Sequence, residues 1–173
     1  MRQSFTLNSI TLRDPIFAQH SGLTMGTTET NVRVSIVCAW FNRAEYLSET
    51  LDSIISQNYP SFEVILVNDG STDPRVSEIL ARYQLPNLRV IEQANTGFVM
   101  ALRRAIEESK GEYIAIQGAG DVSLPSRIAA QAAVLDAEES VAIVGCGRYR
   151  TTVGGPRNGE RATSLATQSH VDQ

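Results

Sequence analysis

Two short runs, Val34-Ser35-Ile36-Val37-Cys38 and Val64-Ile65-Leu66-Val67, are rich in β-branched and aliphatic residues. Each stops abruptly in polar or small residues, and a helix-like pattern follows. Buried parallel strands read this way when they deliver their C-terminal ends to a crevice. If the two strands are neighbours, Asn42 and Asp69 open onto that crevice together.

After the strand at 34–38, Leu47, Leu51, Ile54 and Ile55 recur at i, i+4, i+7 and i+8, one face of a helix, with Asn42 in place to cap it. Asn58-Tyr59-Pro60 stops that helix, and the second strand, 63–67, leads to Asp69-Gly70-Ser71-Thr72-Asp73-Pro74. Asp73 caps the next helix with Pro74 at its first position, and Val76, Ile79, Leu80 and Tyr83 form the buried stripe. A strand at 88–91, a helix over about 98–109, a strand at 113–116, a helix running to about 138 and a strand at 141–144 complete the series.

Strands alternating with helices at short spacing predict an α/β fold, a mostly parallel Rossmann-like sheet with helices on both faces. The predicted order is 88–91, 63–67, 34–38, 113–116, with 141–144 beyond. Residues 1–31 show no sustained period and read as a partly disordered extension with a turn at Asp14-Pro15. The pattern fails again after Gly147, so 32–147 is the folded domain and 148–173 an irregular tail.

A net charge of −4 argues against a nucleic-acid partner, which needs a basic face. No stretch approaches the ~20 apolar residues that span a bilayer. Cys38 and Cys146 both end apolar runs, which suits buried reduced thiols and a cytoplasmic location. His20 and His170 lie in the tails, so neither a Ser-His-Asp triad nor a histidine metal site falls within the folded part. No phosphate-cradling Gly-x-x-x-x-Gly-Lys-Ser/Thr is present, and no Gly-x-Gly-x-x-Gly follows the first strand.

Strand ends of a parallel sheet form the default ligand crevice, so 39–42, 68–71, 93–97 and 117–121 should converge. Asp69 reads equally as an acceptor for a base or sugar and as the residue that shapes an Asp-Gly turn. Phe41 reads as a stacking surface or as core. Asp121 reads as a ligand for a divalent cation or as a turn residue, and Arg103 and Arg104 as diphosphate partners or a solvated helix face.

The run Val-Ser-Ile-Val-Cys-Ala-Trp-Phe-Asn-Arg, followed by Leu-Asp-Ser-Ile-Ile-Ser-Gln-Asn-Tyr-Pro-Ser-Phe-Glu-Val-Ile-Leu-Val-Asn-Asp-Gly-Ser-Thr-Asp, resembles the opening of family-2 glycosyltransferases. Asn95-Thr96-Gly97, Lys110 to Ala115 and Asp121 to Ile128 continue the resemblance in order, over roughly 32–146. It implies a GT-A fold that binds a nucleotide-diphospho-sugar donor. It also implies sugar transfer to an acceptor glycan or lipid carrier in polysaccharide or glycoconjugate synthesis, with Mg²⁺ or Mn²⁺ on the diphosphate. A membrane-associated partner would make the chain peripheral to a membrane.

Carried over by position, Ala39, Trp40 and Phe41 would flank the base, Asn42 would belong to the same nucleotide-sugar site, Asp69 would hydrogen-bond the base, and Gly97 and Arg103 would border the nucleotide. Asp121 falls in the metal motif. The family commonly reads Pro-Thr-Tyr where this chain has Ala39-Trp40-Phe41, and Asp-x-Asp-Asp where it has Gly118-Ala119-Gly120-Asp121. The family's acceptor site and catalytic base usually lie beyond the fifth strand, where this chain has only the tail 148–173. The resemblance thus implies a donor-binding portion, apparently truncated, with no catalytic base assigned. The alternative is a degenerate domain that binds nucleotide or acts only as a partner.

Overall fold

The computed structural model describes residues 10–12 and 32–147. Six strands form one sheet: β1 (Ile10–Leu12), β2 (Val34–Trp40), β3 (Phe62–Asp69), β4 (Leu88–Gln93), β5 (Tyr113–Ile116) and β6 (Ile143–Val144), in the order β4-β3-β2-β5-β1-β6. β4, β3, β2 and β5 run parallel, while β1 is antiparallel to both its neighbours. Four helices connect them: α1 (Ala44–Ile55), α2 (Pro74–Leu80), α3 (Phe98–Glu107) and α4 (Arg127–Ala137).

Strand alternation sorts the core into two faces. Val34, Ile36, Cys38, Trp40, Val64 and Leu66 pack against Leu47, Leu51 and Ile54 of α1, Val76 and Leu80 of α2, and Ile128, Ala132 and Leu135 of α4. Val37, Ala39, Ile65 and Val67 face the other way, onto α3. Ala101 and Ala105 are the fully buried residues of α3, and their small side chains bring that helix close over the sheet.

The parallel order 88–91, 63–67, 34–38, 113–116 is the one the sequence predicts. Two features differ. The segment read as an extension contributes β1, which enters between 113–116 and 143–144 and displaces the last strand by one place. Three residues are too few for alternation to register; the pairs Ile10↔Ala115 and Ile10↔Val144 define this strand instead. Asn42 does not cap α1. Asn42 and Arg43 both adopt left-handed backbone, at φ 54° and 57°, and Arg43 occupies the cap position without a side-chain hydrogen bond. The Asn42 carboxamide oxygen instead accepts from the Thr72 and Asp73 backbone N–H groups at 2.9 and 3.0 Å, tying the β2 tip to the loop after β3.

Asp73 does cap α2, accepting from the Arg75 N–H at 3.0 Å with Pro74 at the first helical position. Neither cysteine is in a disulfide; Cys38 is buried and Cys146 half-buried. Among the described residues no helix is long and apolar enough to cross a membrane. The turn at Asp14-Pro15, His20, the tail 148–173 and His170 lie outside the described residues.

Candidate active site

Because side chains alternate along β3, Asn68 turns to the α1 face and Asp69, the last strand residue, to the α3 face. Asp69 is only 2% exposed. Its Oδ1 accepts from Gln93 Nε2 at 2.8 Å, the Thr96 N–H at 2.8 Å and the Thr96 hydroxyl at 3.2 Å. Its Oδ2 accepts from the Gly97 N–H at 2.9 Å. Burial alone pushes this carboxyl up, but the hydrogen bonds from Gln93, Thr96 and Gly97 outweigh it and hold the group below the usual carboxylate range.

Gly70 lets the two loops meet. It has φ +68°, and a Cβ there would stand 2.6 Å from the Asn95 backbone nitrogen. Asn95 completes the contact by donating to the Asp69 carbonyl at 2.9 Å. The turn reading of Asp69 is thus met by its hydrogen bonds to the 93–97 segment.

A cleft of about 270 Å³ opens above this cradle, lined by Ala39, Trp40, Phe41, Asp69, Asn95, Gly97, Phe98 and Ala101. Phe41 and Phe98 are about half exposed, at 46% and 49%. Trp40 is fully buried within the α1 face, and its indole N–H donates to the Asn42 carbonyl. Five of the residues placed at the crevice by sequence, Ala39, Trp40, Phe41, Asp69 and Gly97, line the cleft. Asn42 stands just outside, holding the strand tip. Arg103 is not among the lining residues; it lies on the exposed side of α3, paired with Glu107 at 2.6 Å.

At the β5 tip, Gln117 is almost wholly buried and organises the following turn. Its Nε2 donates to the Asp121 carbonyl at 2.9 Å, and its Oε1 accepts from the Ser123 hydroxyl at 2.6 Å and Arg127 Nη2 at 3.1 Å. Burial pushes the Arg127 guanidinium down from its ordinary value, opposed by Cys146 and Asp121. The Cys38 thiol is pushed up to about 12 by burial and the Asp121 charge, which removes it as a nucleophile. Asp121 is the one carboxylate of this turn, and no group of three His, Cys, Asp or Glu among the described residues can hold a metal ion.

Sequence reasoning placed Gln93, Thr96 and Gln117 at the crevice within the runs 93–97 and 117–121 but missed their individual partners, and it missed Phe98, Ala101 and Arg43. Phe98 carried a signal, since it stands at i−3 and i−7 from Ala101 and Ala105, at the start of the helix face turned to the strand ends. Gln117 carried one too, as a polar residue directly ending an apolar run.

A parallel sheet that reverses its winding between β2 and β5, with its crevice at the strand ends on either side, defines a Rossmann-like α/β protein of the GT-A type. The glycosyl transferase family 2 model matches residues 35–171, and the chain belongs to that family. It is 31% identical over 118 residues to the putative glycosyltransferase EpsE of Bacillus subtilis, covering 66% of this chain and 42% of that protein. It is 36% identical over 119 residues to EpsJ, an uncharacterized glycosyltransferase of the same organism, covering 68% and 34%.

Among solved structures it is similar to S. aureus TarS 1-349 in complex with UDP-GlcNAc. The TM-score is 0.58 at 26% identity, over 63% of this chain and 32% of that one. It is also similar to the mannosyltransferase PcManGT of Pyrobaculum calidifontis in complex with GDP-Man and Mn²⁺. There the TM-score is 0.58 at 26% identity, over 78% and 41%. The chain thus spans less than half the length of these relatives.

Proposed function

We propose that this chain carries the donor half of a glycosyl transfer. The cleft takes the nucleoside of a nucleotide-diphospho-sugar, with Asp69 as acceptor for the base and Phe41 and Phe98 as apolar walls. The observation that carries this reading is the Asp69 cradle. Donors from Gln93, Thr96 and Gly97 keep the carboxylate ionised, and Oδ2 takes only one of them. A carboxylate has about four lone-pair sites, so Oδ2 keeps acceptor capacity for an N–H of the base. The complexes of TarS with UDP-GlcNAc and of PcManGT with GDP-Man support the donor class.

In such a transfer the acceptor hydroxyl displaces the nucleoside diphosphate at the anomeric carbon, and the site must stabilise charge on the leaving diphosphate. Asp69 is the only ionisable side chain among the described residues lining the cleft. Its depressed pKa makes it a poor general base, so its role is binding. The catalytic base, the acceptor, whether glycan or lipid carrier, and any membrane-associated partner belong to a part of the reaction these residues do not build. A cytoplasmic location, peripheral to a membrane through that partner, is part of the same proposal.

The Mn²⁺ of PcManGT raises the question of a divalent cation here. Mg²⁺ and Mn²⁺ are hard cations that sit between substrate phosphates and one or two carboxylates. Among the described residues Asp121 is the one carboxylate at the β5 tip, and an arginine stands against the same turn. The donor set does not fit a resident cation, and no step is routed through one.

Calorimetric titration of the chain with UDP, GDP and dTDP tests the reading. One of the three binds the native chain and fails to bind Asp69→Ala. A folded protein that binds none of them overturns the proposal.

A further inference from the structure

Arg43 stands between β2 and β5, where the winding of the sheet reverses and crevices open. Two consecutive non-glycine residues in left-handed backbone, Asn42 and Arg43, put it there. Such strain persists only where surrounding contacts impose it, and it gathers at functional sites. Here the Asn42 hydrogen bonds to 72 and 73 impose it. The exposed guanidinium reaches across to the turn after β5, with Nη1 donating to the Ala119 carbonyl at 2.8 Å and Cζ 5.0 Å from the Tyr46 ring centroid.

The turn is shaped for this cation. Gly120 has φ +88°, and a Cβ there would come within 3.0 Å of Arg43 Nη2. A Cβ at Gly118 would collide with Asp121 Oδ2. The two positions that carry carboxylates in the motif this stretch resembles are therefore glycines, packed against a guanidinium and the remaining carboxylate. Arg33, Arg75, Arg89, Arg103 and Arg104 all form ion pairs. Arg43, like Arg82 and Arg127, has no carboxylate within ion-pair distance among the described residues, and only one of its five N–H donors has an acceptor among them.

We propose that Arg43 supplies the positive charge against the donor's diphosphate, so that this chain binds its nucleoside diphosphate without a divalent cation. This rests on the donor-site reading and deepens it. A guanidinium matches phosphate oxygens in a planar fork and stays charged at every working pH. A divalent cation brought to Asp121 would meet that fixed positive charge instead of the carboxylates that would hold it.

The test is calorimetry on the full chain with UDP, GDP and dTDP, in EDTA and in Mn²⁺, for the native protein, Arg43→Met and Arg43→Lys. The native chain binds one nucleoside diphosphate in EDTA, and Mn²⁺ changes Kd by less than about threefold. Arg43→Met weakens it by roughly 10- to 100-fold, as loss of charge-assisted hydrogen bonds predicts, while Arg43→Lys recovers part of the loss. Affinity for the parent nucleoside stays within about twofold in all three proteins, because Asp69 is untouched; the same value also certifies their folding. Binding that requires Mn²⁺, or an Arg43→Met chain that binds like the native one, overturns this inference and leaves the donor site standing. Absence of all nucleotide and nucleoside binding overturns the donor-site reading, and this inference with it.

Discussion

At the Asp69 end of the crevice a buried carboxylate collects donors from one loop, whereas at the Asp121 end a turn of glycines is gripped by an arginine from the neighbouring strand tip. The first end is organised around a negative charge, which collects the Thr96 and Gly97 backbone N–H groups together with the Gln93 and Thr96 side chains. The second is organised by side chains, Gln117 below and Arg43 above. Protein crevices that take a ligand with a neutral ring and a charged tail need such an asymmetry: an acceptor where the ring donates, and a cation where the tail is anionic.

The sharpest way to break the comparison is Asp69→Ala. The Thr96 and Gly97 N–H groups lose their acceptor, and stability falls by about 3 kcal/mol, read by urea unfolding. The acid limb of stability changes with it. A carboxyl held below its unfolded value of about 3.9 contributes fully above that pH and loses the contribution as pH falls through the lower folded value. Asp136, held down by the Tyr113 hydroxyl and Arg33, contributes in the same direction. The stability lost on going from pH 7 to pH 3 is therefore smaller in Asp69→Ala than in the native chain, and not zero.

Gly70→Ala comes next, at about 2–3 kcal/mol, because left-handed backbone and a clash with the Asn95 backbone act together. Gly97→Ala, where nothing stands within 4 Å of a Cβ, separates the two causes. Its cost is the backbone strain alone, about 1–3 kcal/mol for a conformation at φ 91° and ψ 158° that is essentially confined to glycine, and thermal unfolding measures it. At the other end, Gln117→Leu leaves the Asp121 carbonyl, the Ser123 hydroxyl and Arg127 without their shared partner. It costs about 2 kcal/mol and loosens the turn, seen as faster amide exchange at 118–123. The smallest effect is Arg103→Ala, under about 0.5 kcal/mol for an exposed i,i+4 pair, with nucleotide affinity unchanged.

The parallel core was legible because each strand is short, aliphatic and sharply ended, and each helix carries a stripe. Leu47, Leu51 and Ile54 are all fully buried, as their spacing requires. Asp69 was legible as a strand-tip carboxylate, but its partners Gln93 and Thr96 were not separable from their loop, since a hydrogen-bond cradle depends on how two loops dock. Asn42 misled for a related reason. A polar residue before a helix reads as a cap, and only the neighbouring loop, absent from the local sequence, draws its side chain away. Arg43 carried no local signal, because its meaning lies in Gly120, which is distant in the chain.

The strand at Ile10–Leu12 has a consequence for how the molecule is made. It leaves the ribosome before the other five strands, yet its two neighbours are synthesised long after β2, β3 and β4. The four parallel strands can assemble around the crevice while that opening segment waits, since pairing between distant parts of a chain is slow. Until it docks, β5 shows a bare row of amides and carbonyls to any passing strand. A shortened chain beginning at residue 32 would keep the crevice but never close that border, and its vulnerability would be to its own copies.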